Sequence, residues 1–136
     1  TQANIGILSN LVDNDFIPVI APIGTDEKGQ TFNINADTMA GVVSAAMNAD
    51  RLLLLTDVIG VQDSRGILVK EAGPKEIKKM LENKTISGGM IPKVKTALDA
   101  ITNGVRAVVI LDGRVQNACL LELFTEHGVG TLIRNQ

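Results

Sequence analysis

Apolar residues follow two patterns along this chain: short continuous runs, and stripes that recur at helical spacing. The runs predict buried strands at residues 17–21, 51–56, 107–111 and 129–133. The stripes predict helices over residues 3–13, 35–47, 74–82 and 117–125, and a further helix that follows Gly88-Gly89 and is stopped by Asn103-Gly104. Because the runs alternate with the stripes, we expect an α/β fold: a three-layer αβα sandwich with a mainly parallel sheet.

Local signals add detail to several of these elements. The polar turn at residues 26–30 lies between Ile23 and residues 31–34, which predicts a hairpin, and a second turn is expected at residues 63–66. Residues 51–56 are interpreted as a central strand. Asn35 is a suitable N-cap, and Pro92 suits the first position of its helix. The stripe expected to face inward from the helix after Asn35 consists of Met39, Val43, Ala46 and Met47.

Composition narrows the class of protein. With 136 residues the chain fits a single domain, 45% of its residues are hydrophobic and only 2% are aromatic, so the core must be mainly aliphatic. Few aromatics and a net charge of −2 argue against nucleic-acid and membrane partners. One His and one Cys exclude a structural zinc site, and the lone Cys119 excludes an intrachain disulfide. No apolar run approaches the roughly 20 residues of a membrane span, so we expect a cytoplasmic protein.

Three polar segments follow predicted strands, where ligands bind in open α/β sheets. They are residues 33–37, 56–61 and 112–114. Asp37 and Lys93 both fall in the first turn of a predicted helix, where the helix dipole favours negative charge. Asp37 suits that position, but Lys93 makes sense there only if an anion lies between the two segments. A phosphate is the natural candidate, which indicates phosphoryl transfer.

Each of these residues also has a simpler interpretation. Asn33 and Asn35 could bind a small substrate's carboxylate, or they could stabilise the hairpin and cap the helix. Thr56 and Asp57, followed by Gly60, could hold a nucleotide or simply end a strand. Asp37 and Lys93 could be ordinary surface charges. The chain has neither a Gly-x-x-x-x-Gly-Lys-Ser/Thr loop nor a Gly-x-Gly-x-x-Gly motif, and His127 is expected at a solvated helix end.

Six motifs in order give the chain its resemblance to a known family. They are residues 17–24, 32–37, 54–61, 88–94, 112–115 and 122–131. Together they resemble the nucleotide-binding, C-terminal half of the amino acid kinase family, over nearly the whole chain. The resemblance implies ATP-dependent phosphorylation of the γ-carboxylate of N-acetyl-L-glutamate, in arginine biosynthesis, with Mg²⁺ accompanying ATP and a homo-oligomeric full-length enzyme.

The same resemblance assigns roles to individual residues. Lys93 would stabilise the transferring phosphoryl group and Asp37 would hold the catalytic lysines, while Asn33, with Asn35, would bind the substrate. Arginine-inhibited members bind their effector at positions matched by Glu122 and Gly128, whereas Val109 stands where they carry a histidine. The nucleotide site would be formed by Thr56, Asp57, Val58, Gly60, Val61, Ile86 and Met90.

The other half of the family is not found in this chain. That half carries a glycine-rich phosphate loop, another catalytic lysine, and a double glycine and an arginine that bind the acylated amino acid. Since the chain opens with Thr1 inside a predicted helix, we expect a piece of a longer protein that is inactive alone. The alternatives are a fragment of the glutamate 5-kinase type, a non-catalytic nucleotide-binding or regulatory module, and a purely structural α/β domain.

Overall fold

The computed structural model describes residues 3–126 and 128–135, so His127 and its expected helix-end position lie outside the described residues. Within these ranges the chain forms five helices and six strands. The helices are α1 (Gly6–Asp13), α2 (Ala36–Ala46), α3 (Pro74–Glu82), α4 (Met90–Thr102) and α5 (Ala118–Phe124). The strands are β1 (Ile23–Thr25), β2 (Thr31–Asn33), β3 (Arg51–Thr56), β4 (Glu71–Ala72), β5 (Ala107–Asp112) and β6 (Thr131–Arg134). No helix in these ranges has the length and apolar character that crossing a membrane requires.

The main sheet has the strand order β3-β5-β6-β4. β3 pairs with β5 in parallel, β4 pairs with β6 in parallel, and β5 and β6 are antiparallel. The sheet is therefore mixed but mainly parallel, which confirms the predicted fold class. β1 and β2 form a separate antiparallel hairpin, as the sequence predicts.

Both faces of the sheet are covered by helices. Along β5, Val108 and Ile110 join the core beneath α3 and α4. Val109 and Leu111 point to the other face and pack with Ala118 of α5. This alternation produces the three layers of an αβα sandwich, with the larger core on the side of α3 and α4.

The prediction that residues 51–56 form a central strand is wrong in its placement. β3 lies at one edge of the described sheet, and it is β5 that is buried along its whole length. In β3, Leu52 and Leu54 are buried while Arg51 and Leu55 are exposed, so only one face of this strand is fully covered. The continuous leucine run does not distinguish these two situations.

The prediction of a buried strand at residues 17–21 is also wrong. The segment forms no strand, and the side chains of Ile17 and Val19 are 90% and 96% exposed. A strand requires a neighbour that satisfies its backbone N–H and C=O groups. Within the described residues no strand lies beside this segment, so its apolar sequence finds no sheet to join.

Helix α2 buries a different face from the one predicted. Its buried residues are Gly41 and Ser44, with Ala40 and Ala45 packed against the core, whereas the predicted stripe is only partly buried. These small side chains allow α2 to lie directly on α4, and the longer apolar residues are displaced to the margin of the contact. Asn35 caps the helix as expected, since its Oδ1 accepts from the N–H of Thr38 at 3.1 Å.

Three smaller features differ from expectation. Pro92 is the third residue of α4 rather than the first, where its missing N–H is still without cost because first-turn amides have no partner within the helix. The turn at residues 63–66, which the sequence predicts to lie between two short strands, is flanked by a single bridge between Gln62 and Leu68. The two-residue strand β4 has no signal in the sequence.

Candidate functional site

An ion pair joins the beginnings of α2 and α4. Asp37 is the second residue of α2 and Lys93 is the fourth residue of α4. The Nζ atom of Lys93 donates to Oδ2 of Asp37 at 2.9 Å and to Oδ1 at 3.1 Å. The two side chains are 19% and 20% exposed, so the pair lies near the surface but is largely shielded from water.

This geometry explains how Lys93 is tolerated at the positive end of a helix dipole. The sequence predicts a separate anion, a phosphate, between the two segments, whereas in the structure the carboxylate of Asp37 itself provides a negative charge beside Lys93. A lysine ammonium has three N–H donors, and the carboxylate engages at most two of them. At least one donor therefore remains for a further acceptor.

A cleft with a volume of about 460 Å³ opens beside this pair. Lys93 lies on its wall, together with the end of β3, the loop that follows β3 and the segment before α4. Of the residues predicted from the sequence to bind a nucleotide, those lining the cleft are Thr56, Asp57, Val58, Gly60, Ile86 and Met90. The fold thus brings residues from positions 56–60 and 86–93 into one concave site that ends at a cationic group.

The loop after β3 is held in place by contacts with Thr131 and Leu68. Gly60 has φ +137°, and a Cβ there would lie 2.7 Å from Thr131 Oγ1 and 2.8 Å from Leu68 Cδ1. The N–H of Val61 donates to the same Thr131 Oγ1 at 2.8 Å. Val61 is 1% exposed and is not one of the residues lining the cleft. Both residues therefore shape the loop by packing beneath it.

The segment before α4 leaves its backbone open to the cleft. Gly88 has φ +56°, and Gly89, on the cleft wall, occupies the N-cap position of α4. Among the residues that the structure describes, no atom lies within 4 Å of the position that a Cβ would take on either glycine. A ligand can approach this backbone closely, as a phosphate group requires.

A second charged cluster lies at the same edge of the sheet. Asp112, the last residue of β5, accepts from Nε and Nη2 of Arg114 at 2.9 and 2.8 Å, and from the Arg114 N–H at 2.9 Å. Hydrogen bonds from the guanidinium and then from the backbone lower the pKa of Asp112 to about 2. Asp112 chiefly, and Asp57 to a lesser extent, raise the pKa of Arg114 above its usual value. Arg114 thus balances carboxylates at the ends of both β3 and β5.

The two asparagines are placed differently from the cleft residues. Asn33 ends β2 and is exposed, and neither it nor Asn35 lines the cleft. The side-chain oxygen of Asn35 is engaged by both the N–H and the hydroxyl of Thr38. The capping interpretation of Asn35 therefore holds in this structure.

Glu122 and Gly128 lie on the opposite side of the sheet. Glu122, on α5, is 8% exposed, and its Oε2 accepts from the N–H of Val129 at 2.9 Å. Val129 packs against the cluster that contains Val109, which is fully buried. A Cβ on Gly128 would collide with the Glu122 carboxylate, so these two residues are in close contact.

Sequence reasoning missed part of the cleft. The additional lining residues are Gln62, Asp63, Thr85 and Ser87. Asp63 was interpreted only as a turn residue, and it does serve the turn: the N–H groups of Ile67 and Arg65 bind its carboxylate and lower its pKa. Thr85 and Ser87 flank Ile86 in the sequence, and Gln62 is two residues after Gly60. This proximity to predicted site residues is the signal that could have identified them.

Comparison with known sequences gives a consistent result. The sequence profile of the amino acid kinase family matches residues 1–112. The acetylglutamate kinase of Ruegeria pomeroyi is 60% identical over 98% of this chain and 47% of its own length. That of Paracoccus denitrificans is 56% identical over 98% of this chain and 44% of its own length. The chain spans about half the length of the curated relatives it matches.

Solved structures agree with the fold described above. N-acetylglutamate synthase from Neisseria gonorrhoeae, complexed with coenzyme A and L-arginine, superposes with a TM-score of 0.93 at 27% identity, over 100% of this chain and 32% of that one. Carbamate kinase from Giardia lamblia, bound to AMP-PNP, gives a TM-score of 0.75 at 20% identity, over 96% of this chain and 49% of that one. At that identity, the second match shows a shared fold alone.

Proposed function

Because the chain belongs to the amino acid kinase family, we propose that it is the nucleotide-binding half of an enzyme that phosphorylates the γ-carboxylate of N-acetyl-L-glutamate with ATP. The observation that carries this proposal is the position of Lys93, which lies on the cleft wall and is held there by Asp37. The relatives named acetylglutamate kinase supply the substrate and the place in arginine biosynthesis.

In this proposal Lys93 acts on the phosphoryl group in transfer. Phosphoryl transfer depends on positioning and on neutralising charge that spreads over the phosphate oxygens. The free donor of the Lys93 ammonium supplies such a charge-assisted hydrogen bond. The acceptor carboxylate ionises near pH 4.3 and needs no base at neutral pH, so Asp37 acts by holding cations in place.

The cleft residues receive the nucleotide. Thr56, Asp57 and Val58 offer a hydroxyl, a carboxylate and an apolar wall to the ribose and base, while Ile86 and Met90 add apolar surface. The open backbone at Gly88 and Gly89 leads toward the phosphates. Gly60 and Val61 contribute by fixing the loop rather than by side-chain contact with ATP.

Mg²⁺ is proposed to arrive with ATP. Among the described residues no three His, Cys, Asp or Glu side chains are grouped so as to hold a metal ion. In nucleotide sites Mg²⁺ is held mainly by phosphate oxygens and water, with one or two carboxylates, and Asp57 on the cleft wall is the kind of residue that fits this need. The ion would neutralise part of the phosphate charge, as Lys93 does in this proposal.

Substrate binding requires the other half of the enzyme. Asn33 is exposed on the hairpin and is available to contact the substrate's carboxylate, while Asn35 supports it by capping α2. The glutamate 5-kinase type of reaction, with free glutamate as acceptor, is the second candidate within this family. We propose that the full-length enzyme is a cytoplasmic homo-oligomer.

Glu122 and Gly128 remain a proposed effector site for arginine. The supporting observation is a buried carboxylate that already accepts from a backbone N–H, and carboxylates also accept charge-assisted hydrogen bonds from guanidinium groups. The Neisseria gonorrhoeae synthase, solved with L-arginine, makes this ligand a reasonable one to test. Val109 adds no polar group beneath the site, since it is buried among aliphatic side chains.

Nucleotide binding is tested on this chain by thermal unfolding with millimolar ADP and Mg²⁺. A ligand that binds only the native state raises the melting temperature with increasing occupancy. Gly89→Leu should abolish the rise, because the new side chain meets no protein atom and extends at the cleft wall. Gly6→Leu, a glycine substitution in α1, is the matched control and should keep the rise. An equal rise in all three proteins, or none in the parent, would contradict the proposed site.

Turnover is tested in a chimera in which this chain replaces the matched residues of the Ruegeria pomeroyi acetylglutamate kinase. At 60% identity the interfaces of the two halves should remain compatible. ADP release that depends on N-acetyl-L-glutamate supports the proposed reaction, and release that depends on free glutamate supports the second candidate. A folded chimera with neither activity would exclude both.

A further inference from the structure

Helices α2 and α4 are in close contact one turn beyond the Asp37–Lys93 pair. Gly41 follows Asp37 by four residues, and Thr96 follows Lys93 by three, so each lies on the same helix face as its charged neighbour. Gly41 is buried, and a Cβ built on it would lie 2.8 Å from Cγ2 of Thr96. Carbon atoms in contact normally lie about 3.5–4.0 Å apart, so there is no room for a methyl group at this position.

We propose that Gly41 is a positioning residue: it sets the separation between α2 and α4 that allows Asp37 to hold Lys93 at the cleft. The meaning of this role for catalysis rests on the function proposed above. The structural part stands on the helix contact itself. Gly41 touches no substrate in this proposal and acts only through the two charged residues.

Helix propensity alone would not place a glycine at this position. A glycine in a helix interior is less favourable than alanine, because the unfolded glycine backbone has more freedom to lose. Gly41 is nevertheless in the middle of α2, with an alanine on one side and a valine on the other. The gain that offsets this cost is the close contact with Thr96.

Gly41 is one of the two residues of α2 that are buried. The buried residues of α2 are Gly41 and Ser44, and Ser44 directs its hydroxyl to the carbonyl of Gly41 within its own helix. Beside the contact, α2 and α4 border a groove of about 620 Å³ whose lining includes both Gly41 and Thr96. A methyl group on Gly41 would meet Cγ2 of Thr96, so Thr96 and the helix that carries it would have to shift.

The ion pair is sensitive to such a shift. Its two hydrogen bonds have lengths of 2.9 and 3.1 Å, at the middle of the range for N–H···O bonds. A displacement of several tenths of an ångström would lengthen both of them. Misplacing a catalytic group by about 1 Å can lower turnover by about a hundredfold.

The test compares three substitutions in the chimera and in this chain. Gly41→Ala should lower kcat by about tenfold or more while KM for ATP stays within about twofold, because the lysine is misplaced but the cleft is intact. Adding Thr96→Ser removes the Cγ2 atom that the new methyl meets, and it should restore kcat. Gly6→Ala, in α1, is the matched control and should leave kcat unchanged, since only Asn4 Oδ1 lies near, at 3.4 Å.

A crystal structure of the Gly41→Ala chain gives a readout that does not depend on activity. The expected result is an Nζ–Oδ2 distance longer than the 2.9 Å of the parent by several tenths of an ångström, which returns to the parent value when Thr96→Ser is added. An unchanged distance in Gly41→Ala, or a lengthening that Thr96→Ser does not reverse, would overturn the proposal. An inactive parent chimera would instead reject the proposed function and leave this structural test to decide.

Discussion

At the scale of single residues, the Asp37–Lys93 pair is the feature that distinguishes this site from an ordinary surface. Exposed ion pairs contribute little, since water screens them and two flexible side chains must be ordered. This pair is four-fifths shielded and brings together two helix ends from distant parts of the chain. Its two charges are fixed beside a cleft, where electrostatic interactions are stronger than in open water.

Removing the lysine should affect chemistry more than binding. In the chimera, Lys93→Ala is expected to lower kcat roughly a hundredfold, about 3 kcal/mol, because a cation that stabilises developing phosphate charge is lost. Steady-state kinetics and ADP binding should be measured on the same preparation, with ADP binding retained. Lys95→Ala, two residues further along α4 and exposed, is the matched control. Equal turnover in the parent and in Lys93→Ala would show that Lys93 has no role in catalysis and is an ordinary surface charge.

Replacing Asp37 by asparagine distinguishes a role in holding Lys93 in place from a role as a general base. Asp37→Asn should lower kcat because Lys93 loses its anionic partner, and it should leave the shape of the pH–rate profile unchanged. The reason is that the substrate carboxylate is already ionised at neutral pH, so no proton has to be removed. The measurement is kcat against pH for both proteins. An acidic limb present in the parent and absent from Asp37→Asn would restore the general-base role.

At the scale of elements, the carboxyl ends of β3 and β5 carry most of the charge near the site. Thr56 and Asp112 are paired in the β3–β5 register, so the loops after these strands begin side by side. Asp112 is 6% exposed and is bound bidentately by Arg114. The cluster closes the end of β5 and keeps a nearly buried carboxylate ionised.

This cluster predicts an acid-dependent contribution to stability. The pKa of Asp112 is about 2 in the folded protein, against a usual value of 3.8. The unfolded chain therefore binds the proton more tightly, so the contribution is fully present above about pH 4 and is lost as the pH falls towards 2. Asp112→Asn should lower the melting temperature at neutral pH, and the difference from the parent should shrink over that range.

Thermal unfolding of both proteins from pH 7 to pH 2 checks this expectation. Asp50→Asn removes a carboxylate from an exposed pair with Arg106 and serves as the control. A difference between parent and Asp112→Asn that stays constant down to pH 2 would show that Asp112 acts through packing alone.

Elements were predictable from the sequence where local signals decide them. Asn35 and the Asn103-Gly104 pair mark the ends of helices, and the polar turn at residues 26–30 marks the hairpin. Strand neighbours were not predictable, because a run such as residues 51–56 has the same appearance at the edge of a sheet and at its centre. The exposure of Ile17 and Val19 likewise depends on whether another element packs beside their segment, which the local sequence does not specify.

Only part of the site was predicted, because the rest depends on how the elements pack and not on the local sequence. Asp37 was identified because its negative charge suits the start of a helix, and Lys93 because its positive charge does not. Both signals are local, since they depend only on the position of a residue within its own helix. That they contact each other directly depends on how α2 crosses α4, and that crossing is determined by Gly41 and Thr96. The residues at 62–63 and 85–87 join the cleft through the path of two loops, which no spacing rule specifies.

At the scale of the whole molecule, the chain spans about half the length of its curated relatives. It nevertheless has a core of its own beneath α3 and α4 and a smaller one beneath α5. The exposed apolar segment at residues 16–20 and the edge position of β3 are surfaces that the remainder of such an enzyme could cover. Stability and activity are therefore expected to be separable in this chain.

The isolated chain should fold and bind nucleotide without phosphorylating N-acetyl-L-glutamate. Phosphoryl transfer depends almost wholly on positioning and charge neutralisation, and the resemblance assigns half of those groups to residues outside this chain. The measurement is a coupled ADP-release assay at saturating ATP, Mg²⁺ and N-acetyl-L-glutamate. Turnover near the median enzyme value of about 10 per second would show that this half carries the chemistry by itself.

The exposed course of residues 16–20 has a consequence for how the chain can be cut. A protease cleaves backbone that is extended, open to solvent and not paired in a sheet. Thermolysin cleaves before apolar side chains, and Ile17 and Val19 offer such sites. Helix α1 ahead of them buries none of its residues, so it does little to protect the segment. Brief digestion should release α1 first and leave a trimmed chain that begins near residue 17 and still unfolds cooperatively.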